Sequence, residues 1–228
     1  MNLDWKTLFH LDRLSGKTFY LFYPDLLKSN LSEFTAAFRE HYSQANVAFS
    51  YNASPIPDVC QIINENGGFA QVSSWVEYEI AKRVGVSPSK IIFTGAYKGD
   101  SAIARALNDG AIVIIDSYQE AMTIIELADK NPQKTYHVGF RVNITLENAA
   151  PSRFGLDVDS SAFRRIWNQI SITKNIKIEG LHCHCMLTRK TVRAFADLTQ
   201  TMILTTWQLF PEEPPTFIDI GGGSSGKS

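Results

Sequence analysis

Short apolar runs alternate along this chain with longer stretches in which apolar residues recur at helical spacing. The run Ile112-Val113-Ile114-Ile115 does not alternate with polar residues, as expected of a parallel strand buried on both faces. Similar runs predict strands at Val47–Tyr51, Phe69–Ser74, Ile91–Gly95, Ile112–Ser117, Tyr136–Ile144, Ile176–Cys185 and Thr216–Ile220. Amphipathic patterns fill each gap; in the last of them Val192, Phe195, Met202 and Leu209 keep roughly helical spacing. Ahead of this series, Phe19–Tyr23 reads as a short strand-like piece. A helix follows it, with Phe34, Ala37, Phe38 and Tyr42 on one face.

Strand and helix in alternation imply a parallel sheet with right-handed crossovers. Seven strands in series, with no GxGxxG after the first, favour a barrel over an open Rossmann-type sheet. The predicted fold class is therefore α/β, a (β/α)8 TIM-type barrel. Such a barrel carries its chemistry at the C-terminal ends of its strands, which points at Asn52, Ser74, Gly95, Ser117, Asn143, His184 and Gly221–Gly223. At 228 residues the chain falls a little short of the ~250 of a complete barrel, and it stops in a glycine loop after the seventh strand. The expectation is a single partial barrel domain over residues 1–228, truncated after that strand or completed by another chain, with uncovered edges prone to association.

Composition narrows the function classes. Hydrophobic residues make up 44% and charged residues 20%, which supports one large core. The formal charge of −1 recommends neither nucleic acid nor an anionic membrane as the main partner. The longest apolar run, Ala111–Ile115, is far below the ~20 residues of a membrane span. Three cysteines do not make a disulfide framework, and the N-terminal stretch lacks the apolar core of a signal peptide. A cytoplasmic location is expected.

Three constellations suggest chemistry. Residues Gly221–Ser228 match GxxxxGK[ST] letter for letter after a strand. A nucleotide P-loop, however, opens a helix after the first strand of its sheet, and this one follows the last. A glycine loop binding phosphate through backbone amides survives that objection. A plain tight turn, or residues left by cloning, remain alternatives. The run His182-Cys183-His184-Cys185 tempts a zinc assignment, but neighbours on a strand face opposite ways and no second cluster is present, so no metal is expected. His184 at the mouth suits stacking on a flat cofactor or acid/base work, whereas His182 suits a satisfied core position. Arg141 and Asn143 alternate with Phe140 and Val142 on the fifth strand, and Arg141 needs an anionic or hydrogen-bonding partner if it points into the barrel. That partner is either a structural carboxylate or a cofactor.

Several stretches taken together resemble one family. They are Phe49-Ser50-Tyr51-Asn52-Ala53-Ser54, Gln71-Val72-Ser73-Ser74 with Glu77, Ile92-Phe93-Thr94-Gly95 and Arg141-Val142-Asn143. Ser152-Arg153-Phe154-Gly155, Gly180-Leu181-His182-Cys183-His184 and Ile218-Asp219-Ile220-Gly221-Gly222-Gly223 continue the series. In order and spacing, from about Phe19 to Gly223, they resemble the pyridoxal-phosphate barrel of the ornithine/diaminopimelate/arginine decarboxylases, the alanine-racemase-like fold type. The resemblance implies a (β/α)8 barrel followed by a C-terminal β domain, usually in a head-to-tail dimer with shared active sites. The eighth strand and that β domain are absent from this sequence.

The resemblance also implies site residues. Family members hold pyridoxal 5'-phosphate as a Schiff base to a lysine that ends the first barrel strand, in a motif such as YAVKAN. Asn52 stands at that position, and an amide nitrogen is not a nucleophile. His184 matches the histidine stacked on the cofactor ring. Gly221, Gly222 and Gly223 match its phosphate loop, and Arg141 an arginine beside it. Gln71 replaces a frequent aspartate, and Cys185-Met186-Leu187 replaces the Ile/Val-Gly-Ser that supplies a phosphate-binding serine. Arg189 is a candidate to compensate. The implied protein is an amino-acid decarboxylase-like domain, inactive as written because of Asn52, that forms a homodimer or pairs with a full-length relative. The alternatives are a non-catalytic homologue that regulates a partner chain and, more remotely, a P-loop nucleotide binder.

Overall fold

The computed structural model describes residues 4–146, 152–187 and 191–223. The chain divides into two compact units, residues 1–45 and 46–228. In the first, helix α1 (Trp5–Ser15) starts at the Asp4 side chain, which accepts the backbone N–H groups of Lys6 and Thr7. It stops at Gly16, whose φ of +60° is the left-handed cap that glycine adopts without penalty. Helix α2 (Pro24–Arg39) carries Phe34 and Phe38 one turn apart, their ring centroids 5.0 Å from each other; Tyr42 lies past its end. The strand expected at Phe19–Tyr23 does not form. That segment is irregular and Tyr20 is fully exposed. An apolar run becomes a strand only against a strand that takes up its backbone groups.

The second unit is built on parallel strands: β1 (Ala48–Ser50), β2 (Phe69–Val72), β3 (Ile91–Phe93), β4 (Ile112–Ile115), β5 (Tyr136–Asn143), β7 (Ile176–His182) and β8 (Phe217–Asp219). Seven strands run in the order β1-β2-β3-β4-β5-β7-β8, and a two-residue β6 (Leu156–Asp157) pairs with the end of β5. Helices α3 (Pro57–Glu65), α4 (Trp75–Arg83), α5 (Asp100–Asp109), α6 (Tyr118–Lys130), α7 (Ser161–Ile172) and α8 (Val192–Leu209) fill the crossovers. Ala70, Val72, Phe93, Val113 and Ile115 are fully buried in the core that includes the helices. Among the described residues no helix is long and apolar enough to cross a membrane.

The sheet curls into a barrel arc. From β2 to β8 there are five strand-to-strand steps, roughly 24 Å if the sheet were flat. Yet Gln71 Nε2 of β2 donates to Asp219 Oδ2 of β8 at 3.2 Å. Ladder partners share a face, so the register identifies the inner wall: Ser50, Gln71, Ile92, Ile112, Gly139, Gly180 and Phe217 project to one side. The fold class is the expected α/β barrel architecture. Low in the barrel the Phe217 ring fills the space that two glycines leave open. A Cβ at Gly139 would lie 3.2 Å from the Phe217 ring, and one at Gly180 only 2.3 Å from the Phe217 carbonyl oxygen.

Gly180→Ala therefore forces β7 and β8 apart, and the expected cost is about 1–3 kcal/mol, the usual range for overpacking. Thermal or urea unfolding of the variant checks it; an unchanged midpoint would contradict the packing described.

Candidate active site

Parallel strands put all their C-terminal ends on one rim, and the inner-wall register decides which side chains look into it. Asn52 lies in the turn just after β1, and its Oδ1 accepts the Ser50 hydroxyl at 3.0 Å. Arg141 is the register partner of His182, which in turn is the partner of Asp219. His184 is two residues beyond His182, and Gly221 two beyond Asp219. Asn52, Arg141, His184 and the glycine loop thus belong to one rim.

His184 and the loop are brought into contact. Gly222 N–H points at His184 Nδ1 across 3.5 Å. Gly221 has φ +72° and Gly223 φ +93°, a backbone that side chains rarely tolerate. A Cβ at Gly221 would stand 2.6 Å from the Cys183 carbonyl oxygen and 2.9 Å from His184 Nδ1. The glycine run is therefore required for the loop to press against the histidine. Gly222 and Gly223 are exposed, so their backbone faces the open rim.

Asp219 governs the loop. Its Oδ2 lies 2.8 Å from His182 Nδ1 and accepts Gln71 Nε2, while its Oδ1 accepts Gly221 N–H at 2.8 Å. Burial pushes this carboxyl up, but His182, Gly221 N–H and the nearby His184 outweigh burial and hold it below the usual carboxylate range. Gln71 fits here because a second carboxylate 3 Å away would repel the first, whereas an amide donates to it. His182 is the satisfied core histidine expected from the sequence. The sequence shows Asp219 only as part of the glycine motif.

A second charged group lies beside it. Arg141 Nη1 donates to Asp116 Oδ2 at 2.8 Å, and its guanidinium sits over the Phe154 ring at 5.0 Å. Gly155 N–H donates to Asp116 Oδ1 at 3.0 Å, which explains the Ser-Arg-Phe-Gly stretch as a clamp on this pair. The side chain of Lys98, in the connection between β3 and α5, is wholly buried. Its Nζ is held by Glu120 Oε2 at 2.9 Å and by the Gly95 carbonyl at 2.7 Å. Burial pulls the Lys98 amine down and Glu120 opposes it; an amine tied at both contacts is not poised as a nucleophile.

The other rim candidates are structural. Ser74 and Ser117 cap α4 and α6, accepting the N–H groups of Glu77 and Glu120 three residues on. Each glutamate reaches back to a backbone N–H, of Ser73 and Asp116 respectively, so the same capping device occurs twice. Asn143 Nδ2 donates to the Ser152 carbonyl. Gly95 lets its loop pass 2.8 Å, from its would-be Cβ, to the Ser73 carbonyl oxygen. Among the described residues no three His, Cys, Asp or Glu side chains gather as metal ligands. Arg189 and Ser224–Ser228, which carry the compensating arginine and the rest of the P-loop pattern, lie outside the described residues.

Comparison with known proteins shows the family to which this fold belongs. Residues 28–227 match the family model of the pyridoxal-dependent decarboxylase, pyridoxal binding domain. A diaminopimelate decarboxylase of Aquifex aeolicus is 22% identical over 97% of this chain and 54% of its own length. That of Methanocaldococcus jannaschii is 26% identical over 91% and 51%. The crystal structure of a Helicobacter pylori diaminopimelate decarboxylase mutant complexed with L-lysine superposes with a TM-score of 0.81 at 18% identity, covering 96% of this chain and 57% of that one. The Paramecium bursaria Chlorella virus arginine decarboxylase bound to agmatine gives 0.76 at 17% identity, covering 96% and 58%. The chain spans about half the length of the curated relatives it matches.

The Asp219 carboxylate is a testable support of the rim. Its depressed pKa means that its contribution is complete above the unfolded value of ~3.9 and is lost as pH falls through the lower folded value. Asp219→Asn is expected to cost about 1–3 kcal/mol near neutral pH. The stability gap to the parent should narrow below pH ~4. Urea melts across pH check this; a gap that stays constant into that acid range would contradict it.

Proposed function

The chain belongs to the pyridoxal-dependent decarboxylases through their pyridoxal-binding domain, and from this premise we propose that its barrel binds pyridoxal 5'-phosphate non-covalently and does not run the lysine-dependent reaction. The carrying observation is the pairing of a glycine loop and a histidine on the rim with an amide, Asn52, where the family has its lysine.

The residues present suit the non-covalent part. The backbone at Gly222 and Gly223 is exposed, in a loop whose positive φ angles at Gly221 and Gly223 let a phosphate approach closely, while the Gly221 N–H is held by Asp219 and the Gly222 N–H is turned toward His184. The His184 ring, held beside that loop, offers a flat face for an aromatic ring. Arg141 adds positive charge near the rim, with Asp116 and Phe154 fixing its orientation. When bound, the cofactor supplies an electron sink for the pair left behind as a carboxylate departs as CO₂. Asn52 contributes a hydrogen-bonding amide that accepts from Ser50. It has no free amine with which to attach the cofactor or exchange it onto a substrate.

An α-amino acid or its amine product is the small-molecule class in view. The relatives whose structures contain L-lysine and agmatine support that class. We further propose that residues 1–228 act as one pyridoxal-binding barrel that pairs with a second copy or with a full-length relative. In the non-catalytic reading, which Asn52 favours, such pairing is itself the function.

Titration of the 228-residue chain with pyridoxal phosphate, followed by thermal shift and visible absorbance, tests the proposal. Saturable stabilisation is expected, about 2.7 kcal/mol at ~100 times Kd, with no borohydride-trapped adduct. Asn52→Lys should gain a trapped adduct at residue 52. Absence of stabilisation in both chains would contradict the proposal, as would an adduct in the parent.

A further inference from the structure

The segment after β7 carries sulfur chemistry that the cofactor site does not use. Cys183 and Cys185 flank His184, and their Sγ atoms are 3.3 Å apart. A disulfide needs ~2.0 Å, so the two sulfurs have only about an ångström to close. His184 turns to the rim, whereas the thiols lie on the other side of the segment, where Cys185 Sγ meets the Ile144 carbonyl at 3.7 Å. Cys183 is buried at 1% exposure and Cys185 is partly exposed, so a reagent from solvent reaches Cys185 first. The contact between the thiols, with burial, pushes Cys183 up; the same contact, with Arg141 nearby, pulls Cys185 down and favours its thiolate.

We propose that Cys183 and Cys185 form a thiol–disulfide exchange site that closes to an intrachain disulfide with a low-molecular-weight disulfide, such as oxidised glutathione, as oxidant. The Cys185 thiolate attacks one sulfur of that disulfide. A Cys185–glutathione bond forms, the glutathione S–S bond breaks, and one glutathione thiolate leaves to be protonated by water. Cys183 then loses its proton to solvent and attacks Cys185 Sγ. The intrachain bond forms, the mixed bond breaks, and the second glutathione leaves. Two protein thiols are oxidised by two electrons, and one small disulfide is reduced to two thiols. Cys60, buried on α3 with its Sγ 3.7 Å from the Ser54 carbonyl, takes no part.

Peptide mass measurement tests this without any cofactor. Trypsin cleavage after Lys177 and Arg189 leaves both thiols on the peptide 178–189, with Cys60 on the separate peptide 40–82. The 228-residue chain is equilibrated in reduced and oxidised glutathione, then alkylated and digested. The peptide 178–189 should become unalkylated and lighter by two hydrogens as the buffer turns oxidising. Dithiothreitol should restore it, and Cys60 should stay alkylated throughout. Cys183→Ser should stop at a glutathione adduct on Cys185, and Cys185→Ser should form neither product. Circular dichroism confirms that both variants are folded. A parent chain that stops at the mixed disulfide, forms bonds between chains, or leaves both thiols free in fully oxidised glutathione would overturn the proposal.

Discussion

A carboxylate taken out of water must be surrounded by donors, and at Asp219 that requirement organises the rim. Its two oxygens collect a ring nitrogen from β7, an amide from β2 and a backbone N–H from the glycine loop. The Gln71 contact joins β2 to β8, strands that a flat sheet would keep far apart, and the Gly221 contact fixes where the loop leaves the barrel. Because Gly221 is held from below by Asp219 and packed sideways against Cys183 and His184, the backbone of Gly222 and Gly223 faces outward. The phosphate-binding character proposed for the loop follows from that arrangement, not from the glycines alone.

The second buried charge network has a different consequence. Lys98, Glu120, Asp116 and Arg141 run side by side beneath the rim, linked through Asp116, whose backbone meets Glu120 and whose side chain meets Arg141. Breaking a buried pair by removing one partner is costly, so each charge is held in place by its neighbour. The Lys98 amine is consequently committed to structure. None of these residues offers a free amine in place of the lysine that the proposal finds missing at Asn52, and that is the physical reason for separating cofactor binding from lysine chemistry in this chain.

Much of the barrel could be read from the sequence because parallel strands buried on both faces leave continuous apolar runs, as at Ile112–Ile115. Phe19–Tyr23 misled because a run of aromatic residues says nothing about whether a partner strand exists. Helix α1 went unread although Asp4 and Gly16 mark its two ends. Leu156–Asp157 is too short to carry a period. At the site, His184 and the glycines were legible as a motif, and the structure places them together. Ser74 and Ser117 were assigned to the rim, yet each stands three residues before a glutamate, the signature of a helix cap. Asp219 could not be ranked because its partners Gln71 and His182 lie 148 and 37 residues away, and only strand register brings them together. The sequence alone does not decide between a structural pair and a cofactor contact for Arg141; its pair is Asp116, and the remaining guanidinium nitrogens keep the second role in the proposal.

The central claim is that the glycine loop and His184 form a working cofactor site, with Asn52 proposed to stand in the lysine's place. Backbone amide NMR of the isotope-labelled chain, recorded during pyridoxal-phosphate addition, reads that site residue by residue. The account predicts saturable shifts that are largest at Gly222, Gly223 and His184, with inorganic phosphate reproducing those of the loop. Shifts confined to another part of the chain, or none at saturating cofactor, would contradict it.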